Sequence, residues 1–296
     1  MVRRKFTHRQ EVCLKRILLL VSAISLALSY ASPSSSQQQA PRGGGGGGFR
    51  RPDPIDFEEH DGWVSLFDGK TLNGWSGDEN WKVEDGAIVI ESTCEKPTGT
   101  IYLVWQGGEP ADFELKLEMK GTGNINGGVQ YRGWIVPPNP GRGGAGGRGQ
   151  QAEPCPSGKP RGTPPSPESE AKWNMAGPQY DFDAGNRYPG QFYEQATGRG
   201  IIAYKGQVVR TEEGKNARLL AALGDQATID SYFKPNDWNQ EHIIAIGNQM
   251  THLLNGHLMS ILIDDDKTKF HKSGLIGIEV ESTGKLFVRN IWLKKM

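Results

Sequence analysis

Residues 113–120 read FELKLEMK and alternate without a fault: Phe113, Leu115, Leu117 and Met119 fall on one side, Glu114, Lys116, Glu118 and Lys120 on the other. Successive side chains of an extended chain point to opposite faces, so this period marks a half-buried antiparallel strand. Working outward, WKVEDGAIVI (81–90) and MTHLLNGHLMSILI (250–263) set Asp85-Gly86 and Asn255-Gly256 between extended apolar runs. Both pairs suit the positive φ values of a two-residue turn, which predicts two β-hairpins. KLFVRNIWLKK (285–295) reads as another strand, with Phe287, Ile291 and Leu293 on one side. Helical spacing is clear only in NARLLAAL (216–223), and that run is short. Many strands, short turns and no βαβ rhythm predict an all-β sandwich of two antiparallel sheets.

Much of the chain is unsuited to a core, because only 36% of its 296 residues are apolar and it holds 40 glycines and 18 prolines. A basic opening, MVRRKFTHRQEVCLKR, precedes the apolar ILLLVSAISLALSY and the small residues around Ala31. That order predicts a secretory signal peptide over 1–31 and export to the periplasm or beyond. The apolar run is 14 residues, short of the roughly 20 that a spanning helix needs, so no stable membrane span is expected after cleavage. Cys13 precedes the apolar run, where a lipid anchor is not indicated.

Residues 32–58 are rich in Ser, Gln, Gly and Pro and read as a disordered linker. The folded domain is expected over 59–296, interrupted at 137–172 by a Gly/Pro-rich loop insertion. Removing 1–31 takes six of 34 Lys/Arg and one of 34 Asp/Glu, leaving a balance of −5. An acidic surface argues against nucleic acid as a partner. Cys94 and Cys155 could pair in an oxidising compartment, although free thiols fit their spacing equally well.

Candidate site residues follow from alternation. In GGVQYRG (127–133), Gln130 and Arg132 share one face and Val129 and Tyr131 the other. In GPQYDFD (177–183), Gln179, Asp181 and Asp183 lie together opposite Tyr180 and Phe182. GQFYEQATGRG (190–200) adds Tyr193, Glu194 and Arg199. Trp63, Trp75, Trp81 and Trp238 suit packing at the sandwich edges. Trp134 and Trp173 flank the insertion, where they close the loop base or frame a sugar site. His242, His252, His257 and His271 are scattered, with no metal-ligand spacing.

The blocks GWVSLFDGKTLNGW, WKVEDGAIV, DFELKLEMK, NINGGVQYRG, AGPQYDFD, GQFYEQATGRGIIAYKG, WNQEHIIAIGNQMTHLLNG and SGLIGIEVESTGKLFVRNIWLK resemble, in order, those of the 3-keto-disaccharide hydrolase family. The resemblance covers roughly residues 60–296 apart from the insertion. It implies a jelly-roll sandwich like that of concanavalin-type lectins and glucanases, with a carbohydrate as partner. It further implies cleavage of 3-keto glycosides or disaccharides: loss of the C2 proton, elimination of the C1 substituent, then hydration. In that scheme Asp181 is placed as base or metal ligand and Glu194 as acid or second ligand. Gln130, Arg132, Gln179, Asp183, Tyr193 and Arg199 would contact substrate, with Arg132 as an oxyanion clamp. No cofactor is certain, and a divalent cation could stabilise the enolate. Glu279 and Glu281 stand where many members carry Gln and His. The alternatives are a non-catalytic carbohydrate-binding module of the same fold, or a structural or adhesion domain.

Overall fold

The structure, a computed structural model, describes residues 52–77, 80–137, 155–163 and 172–296. The expected signal peptide, the linker as far as residue 51 and most of the insertion lie outside these residues. One compact unit runs from Pro54 to Met296. Its strands, in chain order, are β1 (Val64–Ser65), β2 (Trp75–Gly77), β3 (Lys82–Glu84), β4 (Ala87–Ser92), β5 (Ile101–Trp105), β6 (Phe113–Gly123), β7 (Asn126–Ile135), β8 (Met175–Asp183) and β9 (Phe192–Gln195). There follow β10 (Gly200–Ala203), β11 (Gln207–Glu212), β12 (Arg218–Ala222), the helix α1 (Gln226–Asp230), β13 (Asn239–Ile246), β14 (Gln249–Leu254), β15 (His257–Asp265), β16 (Leu275–Glu281) and β17 (Gly284–Lys295).

Two sheets pack face to face, as expected of a sandwich. The ten-stranded sheet has the order β12-β11-β15-β14-β13-β6-β17-β4-β3, with β1 pairing β17; the seven-stranded sheet runs β10-β9-β8-β7-β16-β5-β2. Every pairing is antiparallel except β11 with β15, which makes the larger sheet mixed. Between the sheets Phe113, Leu115, Leu117 and Met119 of β6 meet Tyr180 and Phe182 of β8 and Ile278 and Val280 of β16 in one core. The outward side of β6 is not fully solvated: the Lys116 ammonium donates to the carbonyls of Phe57 and Glu59 at 2.9 and 2.7 Å. Both expected hairpins form, with φ of 48° and 76° at Asp85-Gly86 and 50° and 80° at Asn255-Gly256. Trp75 and Trp81 are buried in the core. Trp238 instead lies on the outer face of the larger sheet, with the Arg289 guanidinium 4.0 Å and the Lys120 ammonium 4.8 Å from its ring.

Two expectations from periodicity are corrected. NARLLAAL is no helix: its residues 218–222 are β12, exposed throughout, and hydrogen bond to β11 at the sheet edge. Ladder pairing overrides the helix propensity of Leu and Ala, and the short α1 begins only at Gln226, capped by the Asp225 carboxylate. Phe287 does not share a side with Ile291 and Leu293. A β-bulge between Arg289 and Trp292, with Asn290 at φ 51°, resets the alternation, so Leu286 and Val288 point inward before it and Ile291 and Leu293 after it.

Cys94 and Cys155 form a disulfide, Cα–Cα 5.7 Å, and the Gly162 amide donates to the Cys94 carbonyl at 2.9 Å. His252 and Glu241 are titratable groups within the core. His252 bonds the Tyr131 hydroxyl at 2.7 Å, and burial lowers its pKa to about 3, which keeps it neutral. Glu241 is fully buried, and neither of its carboxyl oxygens has a hydrogen-bond partner among the described residues. Burial, helped by the nearby Asp181, pushes its carboxyl well above the usual range.

Glu241 is therefore expected to cost stability. Below the unfolded pKa both states hold the proton; as pH rises past it the unfolded chain ionises while the folded acid stays protonated, and stability falls. Glu241→Leu should remove that loss and raise stability at neutral pH by about 1–2 kcal/mol. Thermal unfolding followed against pH should show the gain shrinking toward pH 4.

Candidate functional site

The register of β8, β7 and β16 arranges the outer face of the seven-stranded sheet in polar rows. Asp183, Asn126 and Glu281 are consecutive cross-strand partners; so are Asp181, Gly128 and Glu279, and then Gln179, Gln130 and Gly277. β5 extends the middle row with Tyr102, and β9 extends the third with Tyr193. The inward alternates, among them Val129, Tyr180, Phe182, Ile278 and Val280, belong to the core. This is why the intervening polar residues share one face.

Gly128 leaves room for the Gln179 side chain in the middle of the site. A Cβ there would lie 2.2 Å from the Tyr180 carbonyl and 2.9 Å from the Gln179 amide nitrogen. The Gln179 side chain instead passes over the glycine and donates to Glu279. On its other oxygen Glu279 accepts from Gln195 at 2.6 Å and from the Tyr102 hydroxyl at 2.8 Å. Each of these three contacts donates to Glu279.

Asp181 has a different environment. Its Oδ2 accepts from Gln191 Nε2 at 2.7 Å, and it is 8% exposed. Burial pushes its carboxyl well above the ordinary range; the Gln191 bond opposes this, while Glu279, Glu281 and Asp183 add to it. Beside it Gln130 is fully buried, yet neither atom of its amide finds a partner among the described residues. A buried amide with nothing to bond carries a desolvation cost that a ligand hydroxyl or carbonyl would relieve.

Four of the expected site residues behave otherwise. Arg132 was expected on the Gln130 face, but the register shifts between Gln130 and Trp134, with Arg132 itself at φ 50°. Its guanidinium turns inward and donates to the Ala111 carbonyl at 2.9 and 2.7 Å and the Gly247 carbonyl at 2.8 Å, beside the Asp112 carboxylate at 3.2 Å. Glu194 and Arg199 pair at 3.0 Å, and Arg199 also meets Asp264 of β15 at 2.8 Å, so both lie between the sheets and not with Asp181. Burial raises the Glu194 carboxyl, against the pull of Arg199. Asp183 is spent on a turn, its carboxylate accepting from the backbone amides of Gly185, Arg187 and Tyr188 and from the Arg187 side chain.

What the rows bring together is Gln130, Gln179 and Asp181, with Tyr193 at the edge, and with Glu279, Glu281, Tyr102, Gln191 and Gln195. Gln195 shares the parity of Tyr193 and was legible as an outward residue. Tyr102 was hidden in IYLVW, a run that reads as apolar on both faces. Among the described residues no group of three His, Cys, Asp or Glu side chains is placed to hold a metal ion. No described helix is long and apolar enough to cross a membrane.

The family model described as a 3-keto-alpha-glucoside-1,2-lyase-like domain matches residues 62–294. A curated 3-keto-disaccharide hydrolase of Bacteroides thetaiotaomicron is 34% identical over 93 residues, a stretch that is 26% of this chain and 29% of that protein. The chain thus matches under a third of that relative's length. Among solved structures, a Bacillus subtilis protein of unknown function with a galectin-like fold is 12% identical at a TM-score of 0.46, covering 76% of this chain and 90% of that one. A carbohydrate-binding module from Bacillus subtilis is 13% identical at a TM-score of 0.42, covering 75% and 96%.

Proposed function

Because the chain belongs to the 3-keto-alpha-glucoside-1,2-lyase-like domain family, we propose that it cleaves 3-keto glycosides or disaccharides at the polar face of the seven-stranded sheet. The observation that carries the reading is the pairing of a buried, unbonded Gln130 amide with an Asp181 carboxyl whose proton affinity is raised. A ketone at C3 acidifies the proton at C2, so a base of raised pKa is suited to remove it near neutral pH. The electrons pass into the C3 oxygen as an enolate, and the Gln130 N–H groups are available to that oxygen.

Re-forming the ketone expels the C1 substituent, and Asp181 can return the proton it took to the leaving oxygen. Water then adds across the C1–C2 double bond of the enone. Glu279 holds Gln179, Gln195 and Tyr102 in place around the sugar. No step needs an oxocarbenium ion, which the electron-withdrawing ketone would disfavour. The basic and apolar run over 1–31 supports export to the periplasm or beyond.

The test is release of the aglycone from a 3-keto glucoside by the full chain. Gln130→Leu should lower kcat by about 10²-fold, the usual loss for one oxyanion donor, with the fold retained. Glycan binding without any turnover would favour a carbohydrate-binding module instead.

A further inference from the structure

We propose that Gln191 is a positioning residue for the reaction: it holds one oxygen of the Asp181 carboxyl so that the other is presented to the substrate. The loop from Ala184 to Gln191 is fastened in a way that leaves Gln191 little freedom. At its start, Asp183 gathers the amides of Gly185, Arg187 and Tyr188 at 3.0, 2.7 and 2.8 Å. At its far end the Gly190 carbonyl accepts from Ser260 Oγ at 2.7 Å, which ties the loop to the other sheet.

Gly190 itself sits at φ +83°, where a Cβ would lie 2.5 Å from Met259, so neither the conformation nor the space admits a side chain. The backbone then grips Asp181 from both sides: Gly190 N donates to the Asp181 carbonyl at 3.0 Å and Asp181 N donates to the Gln191 carbonyl at 3.2 Å. With its main chain fixed, the Gln191 amide delivers one N–H to Oδ2 at 2.7 Å while being itself only 1% exposed.

The chemistry follows from which oxygen is engaged. Oδ2 accepts the amide proton whether Asp181 is charged or neutral, so the proton Asp181 gains or loses resides on Oδ1. Oδ1 takes no hydrogen bond among the described residues, and the residue keeps 8% exposure. It is the oxygen free to meet C2. The titratable groups that face Asp181 are all acids: Glu279 and Glu281 on β16, Asp183 on its own strand and the protonated Glu241 across the core. Against them the Gln191 N–H is the contact that favours the carboxylate.

The inference rests on Asp181 acting as the base, and two readouts separate it from that reading. In the full-length protein, the Asp181 carboxyl carbon followed by NMR against pH should titrate at higher pH in Gln191→Leu than in wild type. The acid limb of the turnover profile should move in the same direction, and kcat should fall about tenfold with KM unchanged. Gln191→Glu keeps the shape, and when ionised offers no donor, so it should move the titration further up even if the leucine variant folds poorly. An unmoved Asp181 titration in either folded variant overturns the positioning role, whatever happens to turnover. A titration shifted in the variants, with a wild-type protein that cleaves no 3-keto glycoside, upholds the hold of Gln191 on Asp181 and removes the proposed reaction.

Discussion

Asp181→Asn is expected to lower turnover of a 3-keto glycoside by about 10³-fold while raising the thermal midpoint of the protein. The two effects have one cause. Burial among acids makes the Asp181 carboxylate costly to form in the folded state, and asparagine has no charge to bury while still accepting the Gln191 N–H. The stability gain should be largest above the ordinary aspartate pKa, where the unfolded wild-type chain is ionised, and should vanish below it. Aglycone release and thermal scans at pH 4 and pH 7.5 check both halves. Retained turnover, with or without added stability, would remove Asp181 from the chemistry.

Arg132→Met should act in the opposite manner, through the fold. The guanidinium satisfies the carbonyls of Ala111 and Gly247 and meets the Asp112 carboxylate, joining the loop before β6 to the turn between β13 and β14. Methionine fills the volume and offers no donor, so the buried guanidinium's hydrogen bonds to partly exposed acceptors are lost at a cost of about 3 kcal/mol. For a domain of this size that corresponds to roughly 10 °C in Tm. Urea unfolding should show the loss with the same m-value. A variant of wild-type stability and raised KM would instead return Arg132 to the substrate.

These two residues also mark how far alternation could be read. The sandwich and the hairpins were legible because FELKLEMK and the Asp-Gly and Asn-Gly turns state a period and a reversal in the residues themselves. Gln130, Gln179 and Asp181 were placed on one face for the same reason. Arg132 and Phe287 were misplaced because a single extra residue at a bulge, at Arg132 and at Asn290, inverts the alternation beyond it. Neither residue is a glycine, so no letter announced the positive φ.

Glu194 is a different case. It obeys the period, with Phe192 and Glu194 inward and Tyr193 and Gln195 outward, but a glutamate is not expected between sheets unless a cation awaits it. Arg199 is that cation, and the partner that brings it there, Asp264, is 65 residues further on. Gln191 could not be read at all, since it precedes its strand and owes its position to a loop pinned by Asp183 and Ser260.

The place of β17 bears on how the chain reaches its folded state. It lies between β6 and β4, with Lys285 opposite Thr122 and Glu91, and Lys295 opposite Phe113. The middle of the larger sheet is thus sealed by residues some 170 positions downstream of the strand they join. Until they arrive, β4 and β6 present two raw edges and an open core. Contacts of such sequence separation demand that a long loop be closed before any reward is gained, so assembly is slow and cannot proceed vectorially from the first strand. The Asp181 face is late for a related reason: Glu279 lies on β16, which is made only after β1 to β15.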